Sequence, residues 1–189
     1  MSGASARPTP GAARLVRLTL LYLVSWVALW VAGCGSVPAP VAGDTLAGRL
    51  VLQISPATGT TAQQWSAGFE LRGSAQAGEL ALTSPLGTTM AQARWRPGQA
   101  ELQQGGERQA FADLGELSRQ LLGERVPLEA LFDWLRGRPW PAASHEPTAQ
   151  GFLQQGWAVD LSGLGEGRLT ARREQPPAIV LRARLEAAP

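Results

Sequence analysis

The chain has 189 residues, one cysteine, one histidine and no lysine, and a formal net charge of +2. Without lysine there is no P-loop lysine, Schiff base or lysine general base, so its work is done without nucleotide hydrolysis of its own. A single cysteine excludes an internal disulfide, and nothing in the charge pattern points to nucleic acid.

The N-terminus carries Arg7, Arg14 and Arg17, then an uncharged run from Leu18 to Trp30, and closes on Val31-Ala32-Gly33-Cys34. This is a basic region followed by an apolar one, shorter than the roughly 20 residues that span a bilayer comfortably, which predicts an export signal over 1–33. Its removal takes three arginines and no acid, leaving 14 arginines against 15 acidic residues, a formal net charge of −1. Aliphatic, small, small, cysteine resembles the lipobox of bacterial lipoproteins. That resemblance implies a Cys34 thiol that is diacylated, cleavage just before it, and acylation of the new amino terminus. Gly35 follows where an Asp would resemble an inner-membrane retention signal, which favours the outer membrane. The alternative is a buried thiol ending an uncleaved anchor helix.

Residues 34–46, rich in Gly, Ser, Pro, Val and Ala, predict a flexible tether, and 47–187 one domain large enough to bury a core. Leu50, Leu52 and Ile54 alternate with polar or outward positions as in a half-buried strand. A turn is expected over 56–61. Trp65, Ala67, Phe69 and Leu71 share a face of a second strand, Leu80 and Leu82 of a third, and Ala91, Ala93 and Trp95 of a fourth. Pro97-Gly98 and Gly105-Gly106 punctuate two more short strands, the first with Ala100 and Leu102 inward.

At Asp113 the period lengthens. Asp113 and Glu116 form a capping-box-like start, Leu114, Leu117 and Leu121 a helical stripe, and Gly123 a C-cap. A second helix is expected from Pro127, with Leu128, Leu131, Phe132 and Leu135 at helical spacing, ending at Gly137 and Pro139. Residues 138–150, with three prolines, predict a loop that contains His145. Strands return with Trp157, Val159 and Leu161, then Leu169 and Ala171, then Ile179, Leu181, Ala183 and Leu185. Strands, two helices and strands again predict an α+β fold, an antiparallel meander with its helices gathered on one face.

Several stretches together resemble the family of outer-membrane lipoprotein insertases, LolB. They are the lipobox, Leu82-Thr83-Ser84-Pro85-Leu86-Gly87-Thr88-Thr89, the helix Leu128-Glu129-Ala130-Leu131-Phe132-Asp133-Trp134-Leu135-Arg136-Gly137 after Gly123, and Gly156-Trp157-Ala158-Val159. The resemblance implies an open antiparallel β-barrel, a curved sheet with a helical lid over an apolar cavity. It also implies a monomer anchored by Cys34 on the periplasmic side of the outer membrane. Such a protein receives acylated lipoprotein cargo from the carrier LolA and inserts it into outer-membrane lipid. Two departures stand out: no amphipathic helix precedes the first strand, and the last strand carries no tryptophan.

Pro85, Leu86 and Gly87 mark the expected membrane-insertion turn, because Leu86 falls where strand alternation breaks. The simpler alternative folds Leu86 back over the sheet edge. Trp65, Phe69, Leu71, Leu80, Leu82, Trp95, Leu131, Trp134, Leu135 and Trp157 are candidates to line the cavity, or else to fill a plain core. No catalytic residue, metal site or cofactor is expected, and His145 reads as a solvated loop residue. The rival readings are a structural lipoprotein of an envelope assembly complex, with a filled core, and a lipoprotein hydrolase, which would need a nucleophile within reach of His145.

Overall fold

Two units divide the chain, residues 1–40 and 41–189. The computed structural model describes residues 45–55 and 62–186, all in the second unit, so Cys34, the signal, most of the tether and the turn expected over 56–61 lie outside the described residues.

Alternating sequence becomes alternating burial along β1 (Thr45–Ser55), β2 (Gln63–Gly73), β3 (Gly78–Thr83), β4 (Thr89–Arg96) and β5 (Gln99–Gln104). β6 (Glu107–Phe111) follows, almost wholly exposed. Helices α1 (Leu114–Leu122) and α2 (Leu128–Trp134) come next. The chain then adds β7 (His145–Thr148), β8 (Gly151–Gln154), β9 (Trp157–Asp160), a single 3-10 turn at Leu164–Glu166, β10 (Arg168–Arg173) and β11 (Ala178–Leu185). All eleven strands join one curved antiparallel sheet in the order β6-β5-β4-β3-β2-β1-β11-β10-β9-β8-β7. The first and last strands of the meander meet at its centre, where β1 pairs with β11 from Gly48↔Leu185 to Ser55↔Ala178. β6 and β7 are the two free edges, so the barrel is open, as expected.

One face of this sheet and both helices share a single apolar core, with Leu52, Leu71, Leu117, Leu128, Phe132, Trp134, Ile179 and Leu181 among its fully buried side chains. α1 begins as the sequence predicts: the Asp113 carboxylate accepts from Glu116 N at 2.7 Å. It ends on Gly123 at φ 80°, a left-handed conformation that glycine adopts without strain. α2 departs from the expected one-sided stripe. Ala130, Asp133 and Trp134 are buried along with Leu128, Leu131 and Phe132, so this helix is embedded in the sheet's interior.

Three boundaries differ from expectation. β1 starts at Thr45, paired with Arg72, two residues ahead of the expected domain start. Pro127 is the cap residue of α2, not its first turn, and the helix stops at Trp134. The loop expected over 138–150 contains β7, and β8 follows it unforeseen; His145 therefore sits in an edge strand opposite Gln154. Pro147 is tolerated there because an edge strand does not need every N–H.

Candidate functional site: an apolar interior and a leucine-tipped turn

The helices and the sheet enclose a small void lined entirely by apolar side chains: Leu50, Phe69, Leu80, Leu82 and Leu181 from the sheet, and Leu122, Val126, Leu128, Leu131 and Leu135 from α1, α2 and the residues that flank them. Its volume is about 10 Å³, room for roughly one water molecule. Of the ten residues singled out from the sequence, Phe69, Leu80, Leu82, Leu131 and Leu135 line this void. Leu71, Trp95, Trp134 and Trp157 are buried elsewhere in the core, and Trp65 is half-buried at its margin.

The aromatic residues pack as two groups. Trp95 meets Phe132 edge-on at 5.6 Å and donates from Nε1 to Ser74 O at 3.2 Å. Trp134 lies against Trp157 at 6.0 Å and Phe152 at 6.5 Å. Both groups tie α2 to the sheet, one toward each flank of the void.

Sequence reasoning missed the residue that fastens α2. Gln154, 2 % exposed, has its whole amide engaged. Oε1 accepts from Trp134 Nε1 at 2.8 Å and from Trp140 N at 2.9 Å, and Nε2 donates to Trp140 O at 2.8 Å and Ala143 O at 2.9 Å. Arg173 does the same for the α1–α2 connection, donating to Arg125 O and the Glu124 carboxylate, both at 3.3 Å, and to Pro177 O at 3.2 Å, with its guanidinium over the Trp157 ring. Asp133, buried near the end of α2, accepts from Arg138 Nε at 2.7 Å.

The second part of the site is the β3–β4 turn. Gly87 N donates to Ser84 O at 2.9 Å, Ser84 N to Thr88 O at 2.8 Å, and Thr88 N to the Ser84 hydroxyl at 3.2 Å. Pro85 presets the second position, and Gly87 supplies φ 82° at the fourth. This closed turn leaves Leu86 94 % exposed, so it does not fold back over the sheet. A β-bulge beside it, where Leu82 pairs with Ala91 and Thr83 with Thr89, leaves Met90 unpaired and exposed, a second apolar side chain not anticipated from sequence.

His145 is exposed, its ring edge-on to Phe152 at 6.1 Å, and no side-chain hydrogen bond reaches it among the described residues. No group of three metal-ligating side chains is gathered among the described residues.

Fold and site together define a half-barrel with a helix-filled apolar interior and one aliphatic turn held out in water. The family described as "Outer membrane lipoprotein LolB" matches residues 47–185, and the chain belongs to that family. It is 36 % identical to the outer-membrane lipoprotein LolB of Bordetella pertussis over 91 % of this chain and 93 % of the relative. Identity to the corresponding proteins of Bordetella petrii and Bordetella parapertussis is 34 % and 36 %, over 82 % and 77 % of this chain and 85 % and 81 % of theirs. The chain is accordingly an outer-membrane lipoprotein localization factor.

Proposed function

We propose that this protein, anchored through an acylated Cys34 and facing the periplasm, accepts lipoproteins from a LolA-like carrier and inserts them into the outer membrane without nucleotide hydrolysis. The observation that carries the reading is Leu86: a large aliphatic side chain kept almost fully in water by a hydrogen-bonded turn whose geometry leaves it nowhere else to go. Exposure of that kind is useful where the turn meets lipid. Acyl chains of the cargo take the place of α1 and α2 against Leu50, Phe69, Leu80, Leu82 and Leu181, and the helices cover them.

In the conformation seen, the void is far too small for an acyl chain, so acceptance requires the helices to move off the sheet. The same nearly full interior favours the rival, a structural lipoprotein that never opens. Leu86→Glu separates them. A charge at an exposed tip should leave the melting temperature unchanged, yet it must be desolvated to enter lipid, at several kcal/mol unless it neutralises. Transfer from the carrier should therefore survive while delivery to liposomes fails. Failure of the wild-type protein to take cargo from the carrier without nucleotide would favour the rival.

A further inference from the structure

The face of the sheet opposite the helices carries a row of like charges. The register runs Thr83↔Gly68, Gly68↔Arg49, Arg49↔Arg184 and Arg184↔Arg168, so three arginines stand side by side on β1, β11 and β10. All three are exposed. Arg182, two residues from Arg184 on the same face, is exposed as well and donates to Gln53 Oε1 at 2.6 Å. Like charges directly opposite on neighbouring strands destabilise a sheet; elsewhere on this face Arg94 has Glu79 directly across from it, Arg108 has Glu101 on the neighbouring strand, and Arg72 has Glu70 two residues along its own strand, while Arg96 at the end of β4 faces Gln99. In the row only Arg168 has one, Glu166. Arg172 lies on β10 near Asp160, whose carboxyl is held below its ordinary range by the Ser162 hydrogen bonds and by Arg172 itself. Glu186 follows the end of β11 and Glu70 lies below Arg49 on β2, already paired with Arg72. Arg49, Arg182 and Arg184 have no acidic partner among the described residues.

The same row begins at Thr83, the last residue before the Leu86 turn. With strands about 4.8 Å apart, Arg49 stands roughly 10 Å and Arg168 roughly 19 Å from the root of that turn. An apolar prong and a basic row in which Arg49 and Arg184 are unneutralised thus leave one line of the sheet.

We infer that Arg49, Arg182 and Arg184 form a docking face for anionic phospholipid headgroups, which lays the domain on a negatively charged leaflet beside the entry point of Leu86. This rests on the proposal that the Leu86 turn enters lipid, and adds the lipid class. Guanidinium groups match phosphodiester oxygens in geometry and charge, and each basic residue near an anionic surface strengthens partition about fivefold.

The test uses residues 41–189, since every described core residue lies between Leu46 and Leu185 and the fragment carries its own core. Sedimentation is measured with vesicles of phosphatidylcholine alone and of phosphatidylcholine mixed with phosphatidylglycerol, at low and high salt. The wild-type fragment should prefer the anionic vesicles, and salt should erase the preference. The triple variant Arg49→Gln, Arg182→Gln, Arg184→Gln should lose the preference, about fivefold per arginine, keep its binding to neutral vesicles, and melt no lower than the wild type, since it removes opposed like charges. Retention of the preference in the triple variant, or its absence in the wild type, overturns the inference. Loss of carrier-to-protein transfer with vesicle binding intact also overturns it, and points to an acidic protein as the partner. Leu86→Glu reports separately: if it changes binding to neither vesicle while the arginine effect stands, the insertion turn fails and the docking face survives.

Discussion

Gln154 decides how firmly the interior is closed. It satisfies one indole N–H, one backbone N–H and two carbonyls around the end of α2, all from a side chain that is itself buried. Gln154→Leu would fill the same space and leave the Trp134 indole N–H, Trp140 N–H and Ala143 carbonyl without partners, each costing about 1–3 kcal/mol where it cannot reach water, while the Trp140 carbonyl keeps only Ala143 N at 3.4 Å. Urea unfolding should show a loss of roughly 3 kcal/mol or more. A loss below about 1 kcal/mol would mean that the end of α2 is not held there. Its place was illegible beforehand for a physical reason. In β8 the polar Gln154 points inward and Leu153 is 43 % exposed, an inversion of the pattern by which half-buried strands are read. β7 has no inward face at all, its four residues all exposed and one of them a proline. By contrast, Leu86 could be placed because Pro and Gly on either side of it state their own backbone geometry.

At the scale of elements, the proposed acceptance of cargo requires the burial of α2 to be undone. Lifting it exposes Leu128, Leu131, Phe132 and Leu135 at about 1.5–3 kcal/mol each, or about 6–12 kcal/mol together. Cargo can offset this only by burying methylenes, worth about 0.8 kcal/mol apiece. Acceptance should consequently rise steeply with acyl length, by about fourfold per methylene until the helix is fully displaced. Synthetic lipopeptides of graded chain length, competed for the protein in one assay, would show it; equal affinity across the series would exclude acyl burial in this interior. The strands that face α2 were the most legible part of the chain, since Leu50, Leu52, Phe69, Leu71, Leu80 and Leu82 each alternate with outward residues. The full burial of α2 was not, because Trp134 gains its partner from Gln154 on β8, far along the chain, and Asp133 is satisfied by Arg138, a residue beyond the helix.

For the whole molecule, the anchor and the domain should be separable. No described residue of the core lies before Leu46, so Cys34→Ser should abolish acylation and cleavage without changing the stability of the domain. Mass spectrometry of the mature N-terminus and thermal unfolding of the same preparation check both halves; an unmodified Cys34 in the wild-type protein would refute the lipid anchor. Fold class was readable because the meander is local: nearly every strand pairs with its neighbour in sequence. The closing pair β1 and β11 was not spelled out by any short-range signal.

The position of α1 and α2 in the chain has a mechanical meaning. They lie between β6 and β7, the two unpaired edges of the sheet, so the covalent bridge between the lips of the barrel is the plug itself. Such a plug cannot be lifted like a hatch on one hinge. Drawing it outward pulls on both lips at once, and spreading the lips lengthens the path the plug must cover, so gape and plug height become a single coordinate. Under the proposed function, a push at either lip would then displace the plug as well.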